Sequence, residues 1–242
     1  MKNKINLLVL GSGMFTTGRG TDLFGTILPA LFEAKMYEYL DDVVICSTSF
    51  ESSIKAENKV KQLSKIYKKK INIFFYPNTE KRKLSLSNIV KKHKCNTSII
   101  SIPDHLHYEY TIKLLKLKLH CLVVKPMTTN KVFAKKIINL AKKNNLVGMV
   151  EFHKRYDQAN IILKDKIKNN ELGNLEYSII EYSQRKSIPT NSFAKWVNKT
   201  NIFQYLGIHY VDLIYYLTSF TPKNVVAYGQ KNYLKNKKIN TY

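Results

Sequence analysis

The chain has 242 residues, 44% hydrophobic and 24% charged, a globular balance that excludes disordered, collagen-like and coiled-coil classes. Its 40 lysines and arginines against 17 acids leave a net charge of +23, which raises the class of nucleic-acid and anionic-surface binders. That class is not favoured: the lysines follow helix patterns (Lys55, Lys59, Lys61, Lys65; Lys135, Lys136, Lys142, Lys143), no nucleic-acid-binding motif accompanies them, and no apolar stretch nears the roughly 20 residues of a membrane span.

In chain order, short runs rich in valine and isoleucine lie at 5–10, 43–48, 71–75, 98–102, 120–124 and 146–150. Runs that are apolar throughout predict strands of a parallel sheet covered on both faces. Helix patterns separate them. Ala56, Val60, Leu63 and Tyr67 are spaced 4, 3, 4, and Leu106, Tyr110, Leu114 and Leu117 are spaced 4, 4, 3, each drawing one apolar stripe. This alternation predicts an α/β fold, a doubly wound parallel sheet over residues 1–150. After residue 151 the pattern changes to a helix over 156–169, a strand over 175–184, a polar loop, a helix over 203–217 and a strand over 224–231. Two strands are too few for a stable sheet, so residues 151–242 are expected to be an incomplete α+β domain that leaves apolar surface open. Cys46, Cys95 and Cys121 are widely spaced, with no C-x-x-C pair, which fits a reducing, cytoplasmic setting.

Gly11-Ser12-Gly13 follows the first predicted strand, where glycine permits a tight turn and close approach of a pyrophosphate to backbone N–H groups. Thr16 stands where a third glycine is usual, and Gly18, Arg19 and Gly20 delay the helix to about Gly25. Taken alone the turn is equally an ordinary glycine turn; its place at the first βα junction favours the ligand. The second strand ends in Ser47-Thr48-Ser49, with no acid for a ribose hydroxyl nearer than Glu51. Hydroxyls there, with Lys55 and Arg19 as sources of charge, lean towards a 2′-phosphate. In Pro103-Asp104-His105-Leu106-His107 the two histidines lack a clear third ligand, so no metal is expected; Asp104 also reads as a helix cap. Lys125-Pro126 closes the fifth strand, where a desolvated lysine suits proton work or alkoxide stabilisation, and where a snorkelling lysine is an equal reading. Tyr205, His209 and Asp212, spaced 4 and 3, share a helix face and can form a proton relay or simply the polar stripe of an amphipathic helix.

Gly11-Ser12-Gly13-Met14, Pro103-Asp104-His105-Leu106-His107, Lys125-Pro126, Arg155-Tyr156, Leu172-Gly173 and Leu206-Gly207-Ile208-His209-Tyr210-Val211-Asp212 occur in that order. The ordered set resembles the Gfo/Idh/MocA family of NAD(P)-dependent sugar and cyclitol oxidoreductases. The resemblance implies a Rossmann-like first domain and hydride transfer between NAD or NADP and a secondary alcohol of a sugar, nucleotide-sugar or cyclitol. It implies cofactor contacts from Gly11, Ser12, Gly13, Met14, Phe15, Ser47, Thr48, Pro103, His107 and Lys125, catalysis by Lys125, His209 and Tyr205, and substrate contacts from Lys125, Arg155, His209 and Asp212. It also implies a larger C-terminal sheet and a homo-oligomeric full-length form. Val124 replaces the family's glutamate before the lysine, Tyr205 its helix aspartate and Asp104 its asparagine. A dinucleotide-binding member without turnover, and a basic nucleic-acid-associated protein, are the alternative readings.

Overall fold

The computed structural model describes residues 4–80, 85–192 and 194–229. In chain order the first part runs β1 (Ile5–Leu10), α1 (Met14–Thr17), α2 (Ile27–Met36), β2 (Leu40–Cys46), α3 (Phe50–Ile66), β3 (Phe74–Tyr76), α4 (Leu86–Lys92), β4 (Thr97–Ile100), α5 (His107–Lys116), β5 (His120–Val124), α6 (Lys131–Lys143) and β6 (Gly148–Glu151). The strands form one six-stranded sheet in the order β3-β2-β1-β4-β5-β6, with parallel ladders from β3 through β5. The order reverses at β1, so the crevice between the carboxyl ends of β1 and β4 is the switch point of an open α/β sheet, where such sheets bind ligands.

Side-chain alternation along β1 explains the two cores. Leu8 and Leu10 point to one face, with Ile100, Leu114, Leu115 and Ile137; Leu7 and Val9 point to the other, with Leu28, Phe32, Ile45 and Leu63. Each such side chain contributes about 1.5–3 kcal/mol through burial. Helix starts follow local chemistry. The Ser49 hydroxyl accepts from the Ser52 N–H at the start of α3 (3.2 Å), and the Asn130 side chain accepts from the Val132 N–H at the start of α6 (2.7 Å). Four strands differ in their bounds from the sequence pattern, β2 (Leu40–Cys46 against 43–48) and β4 (Thr97–Ile100 against 98–102) by a shift along the chain. β3 is confined to Phe74–Tyr76, which pairs Val44–Cys46, while Ile71 and Ile73 are buried without joining the ladder. β6 starts two residues later than the apolar run because it is the sheet edge, with Gly148 and Met149 exposed. All three cysteines lie in this part. Burial pushes the Cys46 thiol up to about 12 and the Cys95 and Cys121 thiols up to about 11.

The backbone divides into two compact units, Met1–Val150 and Glu151–Tyr242. The second holds a 3₁₀ turn His153–Tyr156, α7 (Gln158–Lys168), a π-helical turn Phe203–Gly207 and α8 (Ile208–Thr218). The predicted helix over 203–217 thus begins with a widened turn. There the Phe203 ring packs so closely on Gly207 that a β-carbon would stand 2.6 Å from it.

The strands predicted at 175–184 and 224–231 are not present among the described residues; Gln230 and Lys231 lie outside them. A strand needs a neighbour to accept its N–H groups, and among the described residues these segments have no ladder partner. Their apolar side chains are open: Tyr177 is 78% and Ile179 77% exposed, and Val225, Val226 and Tyr228 are exposed as well. Among the described residues no helix is long and apolar enough to cross a membrane.

Candidate functional site

At the carboxyl edge of the first unit, the Gly11 N–H donates to the Cys46 carbonyl at 2.8 Å, tying the turn after β1 to the end of β2. Gly11 has φ +97°, and a β-carbon there would lie 1.9 Å from the Ser101 carbonyl oxygen after β4. The chain therefore requires glycine at this crossing. Gly13 differs: its backbone is extended and a β-carbon would meet nothing within 4 Å, so the space before it is open. Ser12 is buried between them, accepting from the Ser47 hydroxyl at 2.7 Å, while its carbonyl accepts from Thr17 Oγ1 at 3.1 Å. This links the first turn to the hydroxyl-rich end of β2.

The delay before α2 has a backbone cause. Gly18 closes α1 in a left-handed conformation, and the Thr26 N–H returns to the Phe15 carbonyl at 2.7 Å. Gly25 passes so near that a β-carbon would stand 2.7 Å from the Phe15 oxygen. Met14 and Phe15 thus hold the loop 18–26 through their carbonyls. Thr16, in place of the third glycine, is fully buried with its hydroxyl unsatisfied. Arg19 Nη1 donates to the Ser52 hydroxyl at 3.1 Å, beside the end of β2, whereas Lys55 pairs with Glu51 at 2.5 Å.

Lys125, only 7% exposed, ends β5, and Asp104 is buried in the turn that leads into α5. Between the ends of β4 and β5 lies His107, 1% exposed, with Nδ1 2.6 Å from the Pro126 carbonyl and Nε2 2.8 Å from the Ile102 carbonyl. Both partners accept only, so two N–H groups are wanted where a neutral ring has one. Burial nevertheless dominates and holds the imidazole below its ordinary value. The two carbonyls and the Asp104 carboxylate oppose that shift, and the Lys125 ammonium adds to it. His107 thus acts as a brace holding the Lys125-Pro126 corner to β4. Pro103 starts the same turn.

In the second unit, His209 is buried on the first turn of α8, four residues after half-buried Tyr205. Its ring meets those of Phe152 and His153 edge-on, centroids 6.2 and 4.6 Å away. Arg155 Nε donates to Asp212 Oδ2 at 2.7 Å and Arg155 Nη2 to Asp212 Oδ1, a two-pronged pair flanked by the Phe152 and Tyr216 rings. The Asp212 carboxylate raises the guanidinium's already high value. Arg155 and Asp212, both expected at the substrate, face each other. Sequence reading missed Glu151 and His153, although two titratable residues at the end of a strand mark the edge where ligands bind.

Residues 33–152 match the GFO_IDH_MocA family model, "Oxidoreductase family, NAD-binding Rossmann fold". The chain is similar to glucose-6-phosphate 3-dehydrogenase of Bacillus subtilis, 28% identical over 137 residues that make up 53% of this chain and 39% of that protein. A 75-residue stretch is 36% identical to an uncharacterized oxidoreductase of Schizosaccharomyces pombe, covering 31% of this chain and 20% of that one. Among solved structures, the WlbA dehydrogenase from Bordetella pertussis in complex with NADH and UDP-GlcNAcA superposes with a TM-score of 0.66 at 19% identity, over 90% of this chain and 56% of that one. The myo-inositol 2-dehydrogenase from Lactobacillus plantarum does so with a TM-score of 0.60 at 18% identity, over 89% and 57%. The chain thus spans about two fifths of the first curated relative and little more than half of these solved structures.

Proposed function

The chain belongs, through residues 33–152, to the Gfo/Idh/MocA oxidoreductase family with its NAD-binding Rossmann fold, and on that premise we propose that it is a nicotinamide-dependent dehydrogenase acting on a secondary alcohol of a sugar, nucleotide-sugar or cyclitol. The observation that carries this reading is the turn at the switch point. Gly11 lets the backbone cross β4, Gly13 leaves open space, and buried Lys125 stands at the carboxyl edge of the same sheet. The turn suits a dinucleotide, since a side chain at Gly13 would fill the space a pyrophosphate needs. When bound, the nicotinamide accepts or gives the hydride. Gly11, Ser12, Gly13, Met14 and Phe15 would hold the phosphates' side of the cofactor. Ser47, Thr48 and Arg19 would hold the ribose, a donor set that leans to NADP because no carboxylate stands at the end of β2. Pro103 and Lys125 would border the nicotinamide.

Lys125 is assigned the developing alkoxide, whose negative charge a desolvated ammonium stabilises strongly. His209 is assigned the hydroxyl proton, as a neutral imidazole near neutral pH can take it. Tyr205 orients the substrate or His209 by donating a hydrogen bond. The mutual pairing of Arg155 and Asp212 recasts them as a clamp that fixes the start of α8, and so His209, on the turn after β6.

One observation favours a second reading, binding without turnover. Val124, where the family carries a glutamate, is packed in the core beside Lys125. Titration of NADH and NADPH by nicotinamide fluorescence, followed by turnover of glucose 6-phosphate, myo-inositol and UDP-sugars, tests both. Binding with turnover supports the dehydrogenase, binding alone the second reading, and absence of binding refutes both. The setting is proposed to be cytoplasmic, the full-length form homo-oligomeric, and the basic surface a solvated one without specific nucleic acid.

A further inference from the structure

The roles above leave Glu151 and His153 unused, and His153, bonded to Glu151, stands against His209. The His153 and His209 rings meet with centroids 4.6 Å apart and planes at 65°. His153 Nδ1 lies 3.0 and 3.3 Å from the two Glu151 oxygens. A carboxylate only accepts, so Nδ1–H donates, the tautomer is fixed, and Nε2 is the basic nitrogen of the neutral ring. His209 is 4% exposed, whereas the His153 side chain is 39% exposed and that of Glu151 18%. The run therefore leads from a buried imidazole to the surface in one step.

Three other cations on these elements are engaged. Lys154 faces Asp157 at 3.9 Å, Arg155 clamps Asp212, and Lys164 of α7 sits 3.4 Å above the Tyr216 ring. Tyr205 and Tyr210 flank His209 along the chain. Burial, then Tyr182 and Asp157, raise the Tyr210 phenol above its ordinary value, which keeps it protonated. Glu151 is bonded to His153.

We propose that His153, held by Glu151, is the exit for the proton that His209 removes from the substrate; this rests on the hydride-transfer reading above. In the oxidising direction the substrate O–H bond breaks and an N–H bond forms on His209, while the carbinol hydrogen leaves as hydride to the nicotinamide oxidant. A proton then passes from His209 to Nε2 of His153, directly or across one water. The part-exposed His153 ring then gives the Nε2 proton to solvent while Glu151 keeps hold of Nδ1–H, so one proton is released per alcohol oxidised and both imidazoles are restored. Reduction runs the same path inward. Without an exit a buried base keeps its proton and supports one turnover only. His153 is thus a positioning and relay residue, and His209 the group that meets the substrate.

Two measurements on the full chain test this. Imidazole titrations followed by NMR, without cofactor or substrate, should show the His209 midpoint displaced in His153→Gln, and the His153 midpoint displaced equally in His209→Gln, as linkage demands. Independent titrations would overturn the pairing. In turnover at low buffer, His153→Gln should lower the steady-state rate about tenfold, leave single-turnover hydride transfer within about twofold, and recover on adding free imidazole. An unchanged steady-state rate, or a loss that imidazole does not restore, would overturn the exit role. Glu151→Gln, which keeps the side chain's size, carries the same test if His153→Gln fails to fold. If the unaltered chain turns over no substrate, the hydride-transfer reading fails while the titrations still decide the imidazole pair.

Discussion

The two units handle apolar side chains in opposite ways. In Met1–Val150, each strand from β2 to β5 has neighbours on one or both sides, and alternate residues of β1 enter cores on both faces of the sheet. In Glu151–Tyr242, the segments 175–184 and 224–229 have strand-like composition and, among the described residues, no ladder, and their tyrosines, isoleucines and valines face solvent. Composition proposes a strand, but a partner makes one. The polar geometry follows the same contrast. The first unit fixes its edge through backbone crossings such as Gly11 over Ser101, the second through side-chain pairs such as Arg155 with Asp212.

The largest expected effect tests whether both kinds of edge carry chemistry. Lys125→Ala and His209→Ala should each lower kcat by about 10²–10⁴ with dinucleotide affinity largely kept, as steady-state kinetics beside fluorescence titration would reveal. A normal rate in His209→Ala would confine the chemistry to the first unit.

Stability comes next. Phe32→Ala, in the filled core of the first unit, should cost about 3–5 kcal/mol by denaturant unfolding. Ile179→Ala, on open surface, should stay within about 0.5 kcal/mol. A large loss at Ile179 would mean the segment is paired in solution. The two glycines divide likewise. Gly11→Ala should cost about 1–3 kcal/mol or more in stability, because φ is positive and backbone blocks the β-carbon. Gly13→Val should leave stability nearly intact and weaken dinucleotide binding at least about tenfold, close to 1.4 kcal/mol.

The smallest effect concerns His107, whose value burial depresses in the fold below 6.5. The unfolded chain then binds the proton first, so stability is full above pH 6.5 and is lost as pH falls from there towards the folded value. The slope is at most about 1.4 kcal/mol per pH unit. Thermal melts of His107→Gln should lack this slope; an unaltered slope would place it elsewhere.

Much of the first unit was legible in the sequence because a buried parallel strand writes itself as an unbroken apolar run, and a helix between strands writes a stripe. Its glycine turn and Lys125 were legible as the ends of such runs. The second unit was read well only for its helices. Whether 175–184 pairs with anything depends on a neighbour, which local composition does not encode. The Arg155–Asp212 clamp joins residues 57 apart, a pairing that one-sequence reading does not see. Glu151 and His153 belong to no motif in the sequence, and only the fold brings His153 against His209, 56 residues away.

The three deeply protonated thiols have a practical consequence. Alkylating reagents attack the thiolate, and a thiol at about 11 supplies only about 10⁻⁴ of it at pH 7. Cys95 and Cys121 are buried in the first unit, so their modification has to wait for that unit to open, while Cys46 is half-buried. The time course of iodoacetamide uptake at Cys95 and Cys121 would therefore serve as a built-in stopwatch for opening of the sheet, blind to whatever happens in the cysteine-free second unit.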